Sequence, residues 1–446
     1  TVTYPRVNVS YIPTTQLGQI GPMSTLRLRM AWGRAGQQPG AFDQYTTYSP
    51  WASEFGPGLR PGNVGDPTLK PEVSTEIEFG GEVGLLNDKI AFDFQYWDRV
   101  VEDALIQRAY PPSGGFINTQ LSNIGQLDAM GWEVGVDASV LRNSQMSVDV
   151  FGSMSYLEEK VVSLGGAPEQ KIGGSYPRYR NFLTEGWAPG TYFGAKLDRS
   201  TDYPIDINGD GKADSQQALL EFFKTGGAGV RDGWNPVMLT PTQADVDAGR
   251  AKDTGALGWY LGKPTPDYTA SFGGSVKWGK NIRVNTLFET RFGEYHITNL
   301  TDAFRKSHGL IGRNTPKAAA TEAALMDPAK AGQTRMDAAA RWCNEFLALS
   351  PYSGLNTIED GSFTRLRELS VSYTVDQEVA ARFGVRSLTM AVSGKNLWMS
   401  TDYSGIDPEL NSLARTNGGI SDFQQSIDAF GVPVPRMWNF SIKVGL

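Results

Sequence analysis

The reading turns on residues 387–446. They run Ser387-Leu388-Thr389-Met390-Ala391-Val392-Ser393-Gly394-Lys395-Asn396-Leu397-Trp398, cross a segment carrying Tyr403, Gly405, Asp407 and Pro408, and finish as Met437-Trp438-Asn439-Phe440-Ser441-Ile442-Lys443-Val444-Gly445-Leu446. The last stretch alternates. Trp438, Phe440, Ile442, Val444 and Leu446 fall on one face of a strand, and Asn439, Ser441, Lys443 and Gly445 on the other. That pattern suits the closing strand of an outer-membrane β-barrel, apolar towards lipid and polar towards the lumen.

The same period recurs upstream. Leu26, Leu28, Met30 and Trp32 alternate with Arg27, Arg29, Ala31 and Gly33. Ile77 and Phe79, then Phe92, Phe94 and Tyr96, repeat it, as do Trp132, Val134, Val136, Ala138 and Val140. Further strands follow at Met146–Val150, Tyr268–Trp278, Ile282–Phe288, Leu369–Tyr373 and Leu388–Val392. The expectation is an all-β, antiparallel transmembrane barrel of about a dozen strands, many near ten residues long. Short turns at 87–88, 142–145 and 279–281 alternate with long Gly-, Pro-, Asp- and Asn-rich gaps at 34–73, 104–130, 164–190, 203–267, 297–361 and 403–436. The short turns near Asn87, Asn143 and Lys280 are assigned to the periplasm, and the gaps near Gly209, Ala320 and Asn411 to the cell exterior. Trp32, Trp97, Trp132, Trp278, Trp398 and Trp438 are read as girdle residues at the membrane interfaces.

Composition agrees with this reading. The chain has 446 residues, 51 Gly and 11% aromatics, and no apolar run long enough for a membrane helix. A net charge of −7 argues against general nucleic-acid affinity. The single cysteine, Cys343, excludes an intramolecular disulfide and a Cys-rich zinc site. His296 and His308 are the only histidines, and no nucleophile–base pair, P-loop or dinucleotide fingerprint appears, so a non-enzyme is expected. An Ala-rich stretch, 318–348, reads as helix inside a long loop.

One segment has ligand chemistry. Asp206, Asn208, Asp210, Lys212 and Asp214 fall in the spacing D-x-N-x-D-G-x-x-D. Side-chain oxygens at the first, third, fifth and ninth positions and the Lys212 carbonyl can surround Ca²⁺, with Gly211 at the sharp turn. The twelfth position is Gln217, not Glu, so a weak, structural Ca²⁺ site is expected. Asx-turns alone are the plainer alternative.

Six segments in order resemble the SusC/RagA family of TonB-dependent outer-membrane transporters. They are Leu69-Lys70-Pro71-Glu72 with Thr75-Glu76, Asn123-Ile124-Gly125 with Met130-Gly131-Trp132-Glu133, and Leu261–Asp267. The others are Glu359–Arg367, Gly394–Trp398 with Tyr403–Glu409, and Pro435-Arg436. The family barrel has 22 strands, so the resemblance implies that residues 1–446 form its C-terminal part, about 12 strands, with the plug domain and the earlier strands absent. It also implies an outer-membrane nutrient importer of a Gram-negative bacterium for oligosaccharides, peptides or similar large nutrients. The implied partners are membrane lipids, a SusD-like surface lipoprotein and, through the missing region, the TonB complex. The alternative is a soluble or surface-attached β-rich glycan-binding or glycan-acting protein.

Overall fold

In a computed structural model, residues 3–54, 56–109, 113, 116, 119–172, 180–198, 200, 205–215, 218, 235–302, 315–327, 334, 337–338, 341, 358–410 and 425–445 are described. Gln217, His308, Cys343 and Asn411 lie outside them.

Among the described residues, eleven antiparallel strands form one sheet in which every strand pairs with its neighbours in sequence order. They are β1 (Arg6–Tyr11), β2 (Met23–Gln37), β3 (Glu72–Leu85), β4 (Ile90–Ala109), β5 (Thr119–Arg142), β6 (Met146–Ser163), β7 (Tyr268–Trp278), β8 (Ile282–Phe292), β9 (Phe363–Thr374), β10 (Ser387–Thr401) and β11 (Met437–Gly445). This is the expected up-and-down wall, with one strand fewer than the dozen anticipated. The gaps at 164–190 and 203–267 belong to a single β6–β7 connection, whose described residues add no strand to the wall. The gap at 104–130 is mostly strand, because β4 and β5 continue their pairing through Ala109 and Thr119.

The register sorts the side chains. Val9 faces Met30, Met30 faces Phe79, and Phe79 faces Tyr96. Phe92 faces Val136, Val136 faces Gly152, and Gly152 faces Phe272. Phe272 faces Phe288, Val284 faces Val371, Val371 faces Val392, and Val392 faces Phe440. Directly opposed residues share a face, so one apolar surface runs unbroken across all eleven strands. The other face carries Arg29 paired with Asp93 and Glu82, Gln95 bonded to Glu78, and a hydroxyl ladder, Ser153 with Ser271 at 2.8 Å. Water must lie on that side and lipid on the other.

Aromatic rows bound the apolar face. Tyr96, Trp132, Tyr156, Tyr268 and Phe292 are opposed in series at one level. Trp132 and Tyr156 stack, with centroids 6.0 Å apart, as do Tyr268 and Phe292 at 5.1 Å. Trp278 and Tyr373 mark the other end, each opposite Ile282. Both β7 and β8 are 11 residues long. Such strands extend about 34 Å, or roughly 26 Å along the normal at a tilt near 40°, the height of an outer-membrane apolar band. Of the proposed girdle residues, Trp97 is a correction. It pairs with Glu78 and packs over Gly131, which places it on the polar face.

The two ends of the wall differ as expected. At one end the connections are tight: 86–89, where Leu86, Asn87 and Asp88 all have positive φ; 143–145, closed by Asn143 Oδ1 on the amides of Gln145 and Met146; and 279–281. At the other, β4, β5 and β6 run to 20, 24 and 18 residues, well past the aromatic row. Of the Ala-rich stretch 318–348, the first part is helical, in Pro316–Met326, and residues 328–333, 335–336, 339–340 and 342–348 lie outside the described residues.

The register sets a test. Arg at Phe94 or Val136, on the apolar face, should destabilise the intact protein in lipid vesicles by about 2–4 kcal/mol near the bilayer centre. Arg at Asp137, on the polar face, should cost far less. Asp93 is unsuited to that comparison because it holds Arg29 at 2.5 Å. Equal urea midpoints for Val136→Arg and Asp137→Arg would refute the assignment of faces.

Candidate functional site

A strand wall in lipid has little interior of its own, and here the buried core sits in the loops. Beyond the aromatic row the polar face of β4–β6 turns apolar. Ala104, Ile106 and Val161 are buried there, with Val101, Ile124 and Leu127 packed beside them. The β6–β7 connection lays Leu164, Ala167, Ile172 and Leu183 on this patch. Short strands continue the layer: Asn181–Leu183 pairs with Thr191–Gly194, which pairs in turn with Trp259–Gly262. Phe193 is fully buried, and Trp187 stacks on Tyr260 at 4.9 Å. The described part of the connection therefore folds back over the inner side of the wall.

Two further long connections join it. His296–Asn299 in the β8–β9 connection pairs antiparallel with Ile358–Asp360 and parallel with Ile427–Asp428, which lies between β10 and β11. Burial keeps His296 neutral and its pKa below the ordinary value, although Glu294 and Asp360 favour the charged form. Burial also pushes the Tyr192 and Tyr403 phenols up; Asp428 and then Glu359 add to the effect at Tyr403.

The last loop is fastened to the wall by charge. Arg365 holds Asp407 at 2.6 Å, and both are buried. Its Nε stands 2.9 Å from Glu409 Oε2, close enough for an ion contact but without hydrogen-bond alignment. Arg367 binds both Glu409 and Glu289, and Arg291 stands 3.9 Å from Glu409. Three guanidinium groups thus balance three carboxylates. The sequence contains both halves, Arg365-Leu366-Arg367 and Asp407-Pro408-Glu409, but nothing in their spacing shows that they meet.

The expected cation ligands also lie in the β6–β7 connection. Asp206 is buried, and its two oxygens accept the amides of Gly209 at 2.6 Å and Gly211 at 2.8 Å. Asp214 accepts the Ile207 amide at 2.6 Å and the Asn208 side chain at 3.0 Å. Asn208 accepts the amide of Asp210, which accepts that of Lys212, each at 2.9 Å. The turn is therefore closed by its own backbone amides, with Gly209 and Gly211 at positive φ. Among the described residues, no three His, Cys, Asp or Glu side chains are grouped so as to hold a metal ion.

Comparison with known proteins accounts for the wall. The family model for the TonB dependent receptor-like β-barrel matches residues 1–232. The chain belongs to that family. TonB-dependent receptor P3 of Formosa agariphila is 26% identical over 380 residues, covering 84% of this chain and 34% of that protein. SusC of Bacteroides thetaiotaomicron is 24% identical over 164 residues, 34% of this chain and 16% of its own length. The RagAB peptide importer in its open-open state superposes with a TM-score of 0.70 at 18% identity, over 99% of this chain and 42% of that one. This TonB-dependent receptor chain spans roughly a third to two fifths of the curated relatives that it matches over most of its length. The resemblance to the SusC/RagA branch is thereby borne out.

Two outcomes follow for the mouth. Asp407→Asn should leave Arg365 under-compensated and cost about 3 kcal/mol of local stability, read as faster amide exchange across 402–410. The folded pKa of His296 is depressed, so its contribution is present above the ordinary value near 6.5 and lost as pH falls through the folded value. Protease protection of 293–299 should therefore drop in mild acid in the native protein and not in His296→Phe.

Proposed function

We propose that this chain is half of the wall of an outer-membrane importer in a Gram-negative bacterium. The observation that carries the reading is the single apolar face crossing all eleven strands, backed by a polar face whose overhanging end is covered by the β6–β7 connection. A solute passing such a wall meets paired charges and hydroxyls, so transport draws on reversible contacts and changes of state, with no covalent step. The cargo class is oligosaccharides, peptides or similar large nutrients. Support comes from SusC among the relatives and from a peptide importer among the structures of like fold. A SusD-like lipoprotein would cover the extracellular loops, and the TonB complex would act through a part of the receptor outside residues 1–446. Deleting the gene should abolish growth on one class of large nutrient and leave growth on its monomers intact. Growth unchanged on every oligosaccharide and peptide source would overturn the reading.

A hard cation, Ca²⁺ in the first instance, is proposed at Asp206, Asn208, Asp210, Lys212 and Asp214 on the strength of their spacing. Carboxylate oxygens keep a second lone pair beyond one hydrogen bond, so the ion would add to the Asx-turns without replacing them. Millimolar Ca²⁺ should slow proteolysis near 206–214 in the native protein and not in Asp206→Ala/Asp210→Ala. Equal cleavage with and without the ion would leave the turns as the whole account.

A further inference from the structure

Ser426 holds a backbone conformation that its residue type avoids, with φ +53°. A strained residue of this kind persists when its surroundings over-determine it. Its Oγ donates to the carbonyl of Pro264 at 2.8 Å, at the end of the β6–β7 connection. Its own carbonyl accepts the Tyr192 hydroxyl at 2.9 Å, from the middle of that connection, and the Thr298 amide at 2.9 Å, from the β8–β9 connection. Ser426 itself belongs to the β10–β11 connection, so one buried residue bonds all three.

The neighbours extend the seam. Ile427 and Asp428 form the parallel pairing with Thr298 and Asn299. Asp428 accepts Thr301 at 2.9 Å on one oxygen and Tyr403 at 2.8 Å on the other. Phe430 donates its amide back to Thr301 Oγ1 at 2.8 Å. Tyr192, Ile427 and Leu300 are fully buried around this seam. A bond lost here leaves a buried donor or acceptor with no water to replace its partner.

We infer that Gln425–Asp428 is a strap that fastens the β6–β7, β8–β9 and β10–β11 connections into one mechanical body, so that these three open together or not at all. An importer whose loops act as separate gates would need each connection to close on its own sheet. Here, among the described residues, the sheet of the β8–β9 connection takes its third strand, Ile427–Asp428, from another connection.

Amide exchange on the intact protein in outer-membrane vesicles tests the strap. Tyr192→Phe should speed exchange about five- to tenfold, and should do so together in 181–194, 296–299 and 425–428. Ser426→Ala, which loses the Pro264 bond and keeps the backbone strain, should give the same joint response. Thr242→Ala removes a helix cap in the same connection as Tyr192, and its effect should stay within 242–250. Heat-resistant migration of each variant on gels confirms a folded barrel; if Tyr192→Phe fails that check, Ser426→Ala carries the test. Faster exchange confined to the mutated connection, in either variant, overturns the inference. Exchange reports loop mechanics whatever the cargo, so this result is separate from any loss of uptake.

Discussion

The structure depends first on the backbone ladder. In lipid no water is available for an unpaired amide or carbonyl, so each strand must be bonded on both sides over its membrane length. Pairing fixes register, and register with a period of two fixes which side chains meet lipid. A shift of one residue in β5 would expose Glu133 and Asp137 to hydrocarbon and turn Val134 and Val136 inward. The apolar row from Val9 to Phe440 is therefore both a consequence of the ladder and the reason that its register has no close competitor.

The mouth follows different physics. Outside the membrane band, water returns to both faces, and the overhanging ends of β4–β6 can use their inner side for a conventional core. Ala104, Ile106 and Val161 begin that core, and Leu164, Ile172 and Leu183 complete it. Burial that a soluble domain would place at its centre is displaced to one rim. The described parts of the loops at this rim are consequently held by contact with the wall and with one another, and Ser426 is where those contacts converge.

The wall was legible from sequence because alternation is local: each strand states its own period, and tight turns such as 86–89 state where it reverses. Strand ends were less legible. The stretch 104–130 looks like a gap because Asp103 has positive φ and the pairing slips beside Ala104, which breaks the period where the strands continue. Trp97 is misplaced because an aromatic near a predicted strand end suits a lipid interface, whereas the alternation of Phe92, Phe94 and Tyr96 already sets it on the other face, where it pairs with Glu78. The mouth was not legible. Tyr192, Thr298 and Ser426 carry no local signature, and their meeting depends on three connections folding against each other. The cation spacing at 206–214 is plain in the sequence, but the same residues close Asx-turns unaided, so spacing alone leaves the ion open to experiment.

One irregularity of the wall can be argued from the residues themselves. In Phe363-Thr364-Arg365-Leu366-Arg367-Glu368-Leu369-Ser370-Val371, strict alternation that puts Arg365 and Arg367 inward sends Glu368 to lipid and turns Leu369 and Val371 into the lumen. Both costs vanish if one extra residue is inserted between Leu366 and Leu369. The structure does this on the β8 side: Leu366 pairs with Phe288 and Glu368 with Leu287, which leaves Arg367 as the bulged residue. On the β10 side Leu366 pairs with Trp398 and Glu368 with Lys395, so Arg367 faces two residues, Asn396 and Leu397. Opposite it, Asn396 takes positive φ, and its side chain donates to the Pro435 carbonyl ahead of β11. Freed from the ladder, Arg367 can reach Glu289 on β8 and Glu409 in the last loop at once. The conflict between two charged residues and two apolar ones in a single strand is thus resolved by the same bulge that frees a guanidinium group to fasten the mouth.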